Sequence, residues 1–147
     1  VNFGANTLVP LLNVLGANLQ IDPSGEPFVR QTATTAGFPY RADEPHIEAY
    51  INMFRVVTKQ TAGVRRPGAA ALDLAYVAAG RVDGFWEFGL KPWDSAAAAL
   101  MIQESGGHIG TLKGDEYAHQ GNIVAGTPKV YTALLAAIAP HVPTGLS

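Results

Sequence analysis

From residue 63 to residue 139 the chain alternates between two kinds of segment, with glycine or proline at most of the changes. Short β-branched or aromatic runs take turns with longer apolar stretches at helical spacing. Strands interleaved with helices bury their apolar faces in one way, by stacking helical layers on a sheet, so the pattern predicts an α/β layered domain. Ile47, Tyr50, Ile51, Phe54 and Val57 recur at helical spacing, with Asp43 as the cap and Pro45 in the first turn. Gly63 ends that helix, and Val64–Arg66 reads as a short strand. A second helix runs from Ala69 to Ala79, apolar on most sides and therefore buried, and Gly80 stops it. Val82–Gly89 has the content of a strand, and Pro92–Ser105 that of a helix ended by Gly106 and Gly107. His108–Leu112 and Asn122–Ala125 read as strands and Pro128–Ala139 as the last helix. The first 36 residues, broken by turn formers at Asp22–Gly25 and at Pro27, read as an irregular N-terminal segment, and residues 37–147 as the α/β domain.

A chain of 147 residues is long enough for one domain with a sizeable core. Its 48% apolar and 15% charged content is that of a globular protein rather than a disordered one. A net charge of -2 supplies no field for nucleic acid or an acidic membrane, so the expected partners include neither, and a phosphate-bearing ligand would need a local site. The absence of cysteine removes disulfides, thiolate metal sites and thiol nucleophiles, and agrees with a cytoplasmic location. The apolar stretch Leu8–Leu19 is interrupted by Pro10, Asn13, Gly16 and Asn18 and is too short to span a bilayer.

Asp94 is the first candidate for chemistry. It falls in the first turn of the Pro92–Ser105 helix, where a carboxylate interacts favourably with the helix dipole, and spacing alone favours that role. Glu87 adds a second reading. It lies near the C-terminal end of the preceding strand, where layered α/β folds hold ligands, and two carboxylates there suit a hard divalent cation. Spacing leaves both readings open. Pro67–Ala71 is another strand-to-helix junction, whose free N–H groups could meet an anion or a hydroxyl, or whose small residues could serve close packing. Ser105–Gly110 is glycine-rich but lacks both phosphate-loop spacings. His46, His108, His119 and His141 show no metal-ligand spacing, and no serine sits in a nucleophile elbow. Of Arg65 and Arg66, adjacent on a strand, at most one can face a given ligand.

The segment from Gly63 to Gly107 resembles the C-terminal half of the inositol monophosphatase family. The signature Trp-Asp-x-Ala-Ala, a leucine, then Glu-x-Gly-Gly stands here as Trp93, Asp94, Ala96 and Ala97, Leu100 and Glu104–Gly107, and the stretches "TTAGFPY" and "GNIVAGTPKVYTALLAAI" extend the likeness over residues 34–139. The resemblance implies the C-terminal half of an α-β-α-β-α sandwich and Mg2+-dependent hydrolysis of a phosphate monoester of the inositol monophosphate kind, with other sugar or nucleotide phosphates as alternatives. It implies Asp94 as a metal ligand and catalytic residue, Glu87 as a partner of a substrate hydroxyl, and Gly68, Ala69 and Ala70 as the lining of the substrate's ring pocket. Ala69 stands where the family usually has Ser or Thr, and Trp93 is expected to pack beside the metal site. The family's Glu-Glu element and Asp-Pro-Ile/Leu-Asp-Gly-Thr motif are missing, so the expectation is a chain that starts just after the main metal ligands and is weak or inactive alone. A non-catalytic binding or oligomerisation module is the alternative, and a second copy of the chain is a candidate partner.

Overall fold

The computed structural model describes residues 18–21, 27–30, 33–36, 45–119 and 121–146. Two short strands, β1 (Asn18–Ile21) and β2 (Pro27–Arg30), pair antiparallel as a separate ribbon. The remaining strands form one sheet: β3 (Ala33–Ala36), β4 (Gly63–Arg65), β5 (Gly84–Glu87), β6 (His108–Thr111) and β7 (Ile123–Gly126), in the order β4-β3-β5-β7-β6. β3 runs parallel to β4 and β5, while β7 runs antiparallel to β5 and β6. Parallel strands that follow one another in the chain need crossovers. Helix α1 (Ile47–Gln60) makes the one from β3 to β4, and α2 (Ala70–Ala78) makes the one from β4 to β5. Helices α3 (Pro92–Glu104) and α4 (Pro128–Ile138) follow β5 and β7, and a 3₁₀ turn at Ala139–His141 ends the last helix. This is the α/β architecture that the alternation of segments predicts. The sheet takes β3 from before residue 37, where the sequence pattern begins the domain.

Successive residues of a strand face opposite sides of the sheet, and the two cores follow that rule. Phe85, Ile123 and Ala125 join Leu74, Val77 and Ile102 on the side of α2 and α3. Trp86 and Val124 join Tyr50, Met53, Val57, Leu134 and Ile138 on the side of α1 and α4. Because β5 and β7 are covered on both faces, their sequences are apolar without alternation, which is why they read as strands by content rather than by period.

Several boundaries differ from expectation by a residue or two, and two differences are instructive. The first helix starts at Ile47 after His46, which makes no side-chain cap, so Pro45 lies in the turn before the helix rather than in its first turn; Asp43 lies outside the described residues. β5 runs over Gly84–Glu87 instead of Val82–Gly89, and glycine lets it start close against α4: a Cβ on Gly84 would stand 3.0 Å from Val130 Cγ1.

Helix α3 tests the layer assignment. Ser95, Ala98, Ala99 and Ile102 face the sheet, while Leu100 is exposed. Ile102→Ala is expected to cost roughly 2–5 kcal/mol by leaving a cavity, and Leu100→Ala within about 0.5 kcal/mol of nothing, in urea denaturation of the two variants.

Candidate functional site

The site is assembled from one strand end and two helix starts. β5 delivers Phe85 and Trp86 into opposite cores and ends at Glu87, which by alternation shares the Phe85 side, the side of α2 and α3. Gly89, at φ 72°, then turns the chain, and its N–H donates to Asn122 Oδ1 at 3.1 Å. The Leu90 N–H donates to the Gly121 carbonyl at 2.8 Å. These two bonds fasten the β5–α3 connection to the entry of β7. Gly121 has to be glycine there, since a Cβ would stand 2.5 Å from the Leu90 carbonyl oxygen.

Asp94 does double duty at the start of α3. Its Oδ2 accepts the Lys91 backbone N–H at 2.9 Å, closing one half of a capping box; Lys91, whose ammonium has no acceptor, cannot return the bond. The dipole role that spacing suggests is therefore present, and Asp94 is also half-buried beside Glu87. The next residue points inward: Ser95, 1% exposed, shares a 2.8 Å hydrogen bond with the Tyr117 hydroxyl, which reaches His119 Nδ1 at 3.3 Å. That chain ties the first turn of α3 to the loop before β7. His119 itself is exposed, in the left-handed region at φ 63°.

Glu87 is the electrostatic centre. Burial, and then the negative charges of Asp73 and Asp94, push its carboxyl up to about 7, with Arg66 pulling the other way. These interactions place the start of α2, the start of α3 and the end of β5 around one point. Asp73 was not singled out by the sequence reading. It has no exposed surface, and neither of its oxygens makes a hydrogen bond of acceptable geometry among the described residues. Burial raises its carboxyl, and the Ala69 backbone offsets part of that rise. A single acid inside the otherwise apolar α2 was the available signal. Of the Arg65 and Arg66 pair, at most one of which can face a given ligand, Arg65 ends β4 and the charge of Arg66 reaches both Glu87 and Tyr50. Tyr50 packs below, 5.3 Å edge-on from Phe88 and 5.9 Å from Trp86 between ring centres, and burial pushes its hydroxyl far up.

Gly68 and Ala69 form the exposed lead-in to α2, with Gly68 at φ 80°, and Ala70 is half-buried. The expectation for Trp93 is corrected. It is 79% exposed, because it sits on the outer side of α3 and the sheet covers only the opposite side.

Among the described residues no three His, Asp or Glu side chains converge to hold a metal ion. Mg2+ keeps several waters and needs only one or two carboxylates from a protein. The acids Glu87 and Asp94, with Asp73 behind them, are a donor set compatible with such a cation, and the cap engages Asp94 through Oδ2.

The sequence profile of the inositol monophosphatase family matches residues 13–144. The chain belongs to that family. Over 125 residues it is 50% identical to the Nus factor SuhB of Pseudomonas aeruginosa, covering 84% of this chain and 46% of that protein. The Nus factor SuhB of Escherichia coli is 50% identical over 106 residues, 71% of this chain and 39% of that protein. Among solved structures, the extragenic suppressor protein suhB of Bartonella henselae superposes with a TM-score of 0.71 at 32% identity, over 86% of this chain and 53% of that one. The inositol monophosphatase of Anabaena (Nostoc) gives 0.68 at 37% identity, over 78% and 46%. The chain thus spans about half the length of these relatives. These likenesses establish the inositol monophosphatase fold, and three of the four names state no enzymatic activity.

The raised Glu87 carboxyl has a consequence for stability. The unfolded chain releases this proton near 4.5 and the folded one near 7, so between those values the folded state holds more protons and stability falls as pH rises, by about 3 kcal/mol at most. Asp73, raised as well, adds a slope of the same sign. Denaturation midpoints measured at pH 5 and pH 8 are expected to differ less in Glu87→Gln than in the unaltered chain, with the gain of the variant appearing at pH 8.

Proposed function

We propose that the chain carries the substrate side of a Mg2+-dependent phosphomonoesterase acting on an inositol-monophosphate-like ester. The observation that carries this reading is the concentration of Asp73, Glu87 and Asp94 around the end of β5, on a chain of the inositol monophosphatase family. When bound, Mg2+ would supply a Lewis acid and an activated water for attack on phosphorus. Asp94, fixed by its bond from Lys91, would hold the cation through its free oxygen. Glu87, titrating near neutrality, would accept or donate a hydrogen bond at a substrate hydroxyl, according to its protonation. Gly68, Ala69 and Ala70 would form the wall beside the ring, where small side chains leave room, and Ala69 offers no hydroxyl of its own. The other ligands of the cation have to come from water, substrate or groups beyond these residues, which is why the chain alone is expected to be slow. Sugar and nucleotide monophosphates remain the alternative substrates. A cytoplasmic location and the lack of a membrane partner belong to the same reading; among the described residues no helix is long and apolar enough to cross a membrane.

A second reading, a non-catalytic binding or oligomerisation module, is favoured by the outer side of α2 and α3. Leu72, Trp93, Leu100 and Met101 are all exposed there, at 46%, 79%, 60% and 46%, and exposed apolar side chains that form one patch mark an interaction surface. The relatives named Nus factors support it too, and the expectation of no nucleic-acid partner rests on net charge alone.

Phosphate release from inositol monophosphate, with and without Mg2+, separates the two. Slow Mg2+-dependent release that drops at least tenfold in Asp94→Asn is the expected result. No Mg2+-dependent release, together with no Mg2+-dependent binding of the ester by calorimetry, favours the module.

A further inference from the structure

The two helices on the other face of the sheet, α1 and α4, leave a cavity of about 250 Å³ between them. Thr34 lines it, and Thr34 pairs with Gly84, the first residue of β5, so the cavity lies at the end of that strand opposite Glu87. Its walls are mainly aliphatic, with Val57, Val130 and Leu134 prominent. The exposed Gln60 and two hydroxyls break that surface. Thr34 Oγ1 and Thr61 Oγ1 are both buried without a hydrogen-bond partner among the described residues, and Thr34 is only 1% exposed. Lys129, exposed in the first turn of α4, is the only charged residue of the lining.

Each of these facts restricts the occupant. Buried hydroxyls are normally satisfied, and a pair left open in one cavity calls for a polar group between them. A water could bridge the two, but Val57, Val130, Ala133, Leu134 and Ala137, most of the lining, offer further waters no partner. The cavity is small on the scale of ligand sites, which limits the occupant to a few carbons. At the mouth, the Lys129 ammonium and the free N–H groups at the start of α4 favour an anion.

We propose that this cavity binds a short unbranched ω-hydroxy carboxylate. Its hydroxyl lies between Thr34 and Thr61, its methylenes lie along Val57, Val130 and Leu134, and its carboxylate meets Lys129 at the start of α4. The site is on the opposite face of the sheet from Asp73, Glu87 and Asp94 and does not depend on the phosphatase reading.

Calorimetric titration of the chain with 5-hydroxypentanoate, 6-hydroxyhexanoate, hexanoate and 1-hexanol tests it, with the methyl resonances of Val130 and Leu134 as a local readout. At least one hydroxy acid is expected to bind saturably, about tenfold more tightly than hexanoate or 1-hexanol, and to shift those methyls. Thr34→Val, which keeps the shape, is expected to remove the advantage of the hydroxy acid over hexanoate. Lys129→Gln, an exposed change that leaves folding intact, is expected to weaken both acids and leave 1-hexanol unchanged. Ala133→Leu, which fills the cavity from α4, should abolish binding of all four. Equal binding of hexanoate and the hydroxy acids would overturn the proposal, as it would leave the hydroxyls to water. So would the absence of saturable binding at millimolar concentration, or acid binding untouched by Lys129→Gln.

Discussion

Phe85 and Trp86 leave β5 in opposite directions, both fully buried, and each anchors one of the two cores. A strand held this way on both faces has no freedom to slip, because a shift by one residue would exchange the two rings and put each in a space shaped for the other. Everything at the site inherits that fixity. Glu87 is the next residue, so its depth and its side of the sheet are set by the two rings before it. The bonds from Gly89 to Asn122 and from Leu90 to Gly121 then carry the fixed strand end into the start of α3 and place Asp94. The acids are brought together against their mutual repulsion by packing that takes place elsewhere, and a buried carboxyl that titrates near 7 is the electrostatic trace of that compulsion.

Burial and like charge act together on Glu87, and both ease if a cation enters. Strongly displaced titration in a cleft marks functional candidates for this reason: the fold tolerates an unfavourable arrangement that a ligand would relieve. Asp73 is the harder case. An acid with no exposed surface and no regular hydrogen bond is costly, and α2 would be more stable with an apolar residue there.

The strand and helix order was legible from residue 63 onward because glycines and prolines sit at the changes of period, and almost every element falls within two residues of its expected range. The misses have physical causes. The start of the first helix was placed too early because Asp43 and Pro45 look like an N-terminus, whereas helical hydrogen bonding begins only with Tyr50 to His46. Glu87 and Asp94 were legible as a pair because a strand end followed by a helix start brings seven residues back on themselves. Asp73 and Arg66 were not, since their part in the site depends on α2 packing against α3 and on how the chain leaves β4, which are tertiary facts. Trp93 misled for the opposite reason: its neighbour Asp94 lies near Glu87, but on a helix adjacent residues point about 100° apart.

The sheet divides the molecule's residues into two populations. Along β7, Ile123 and Ala125 touch only one set of helices and Val124 only the other, so neighbours in sequence belong to different packing neighbourhoods. Substitutions interact strongly when they share contacts and add when they do not. Changes on the α1 and α4 side, with its aliphatic cavity, are therefore expected to add to changes on the acid-bearing side rather than interact with them. The genetic background that decides whether a change is tolerated is, for each residue, the face it looks toward rather than the stretch of chain it occupies.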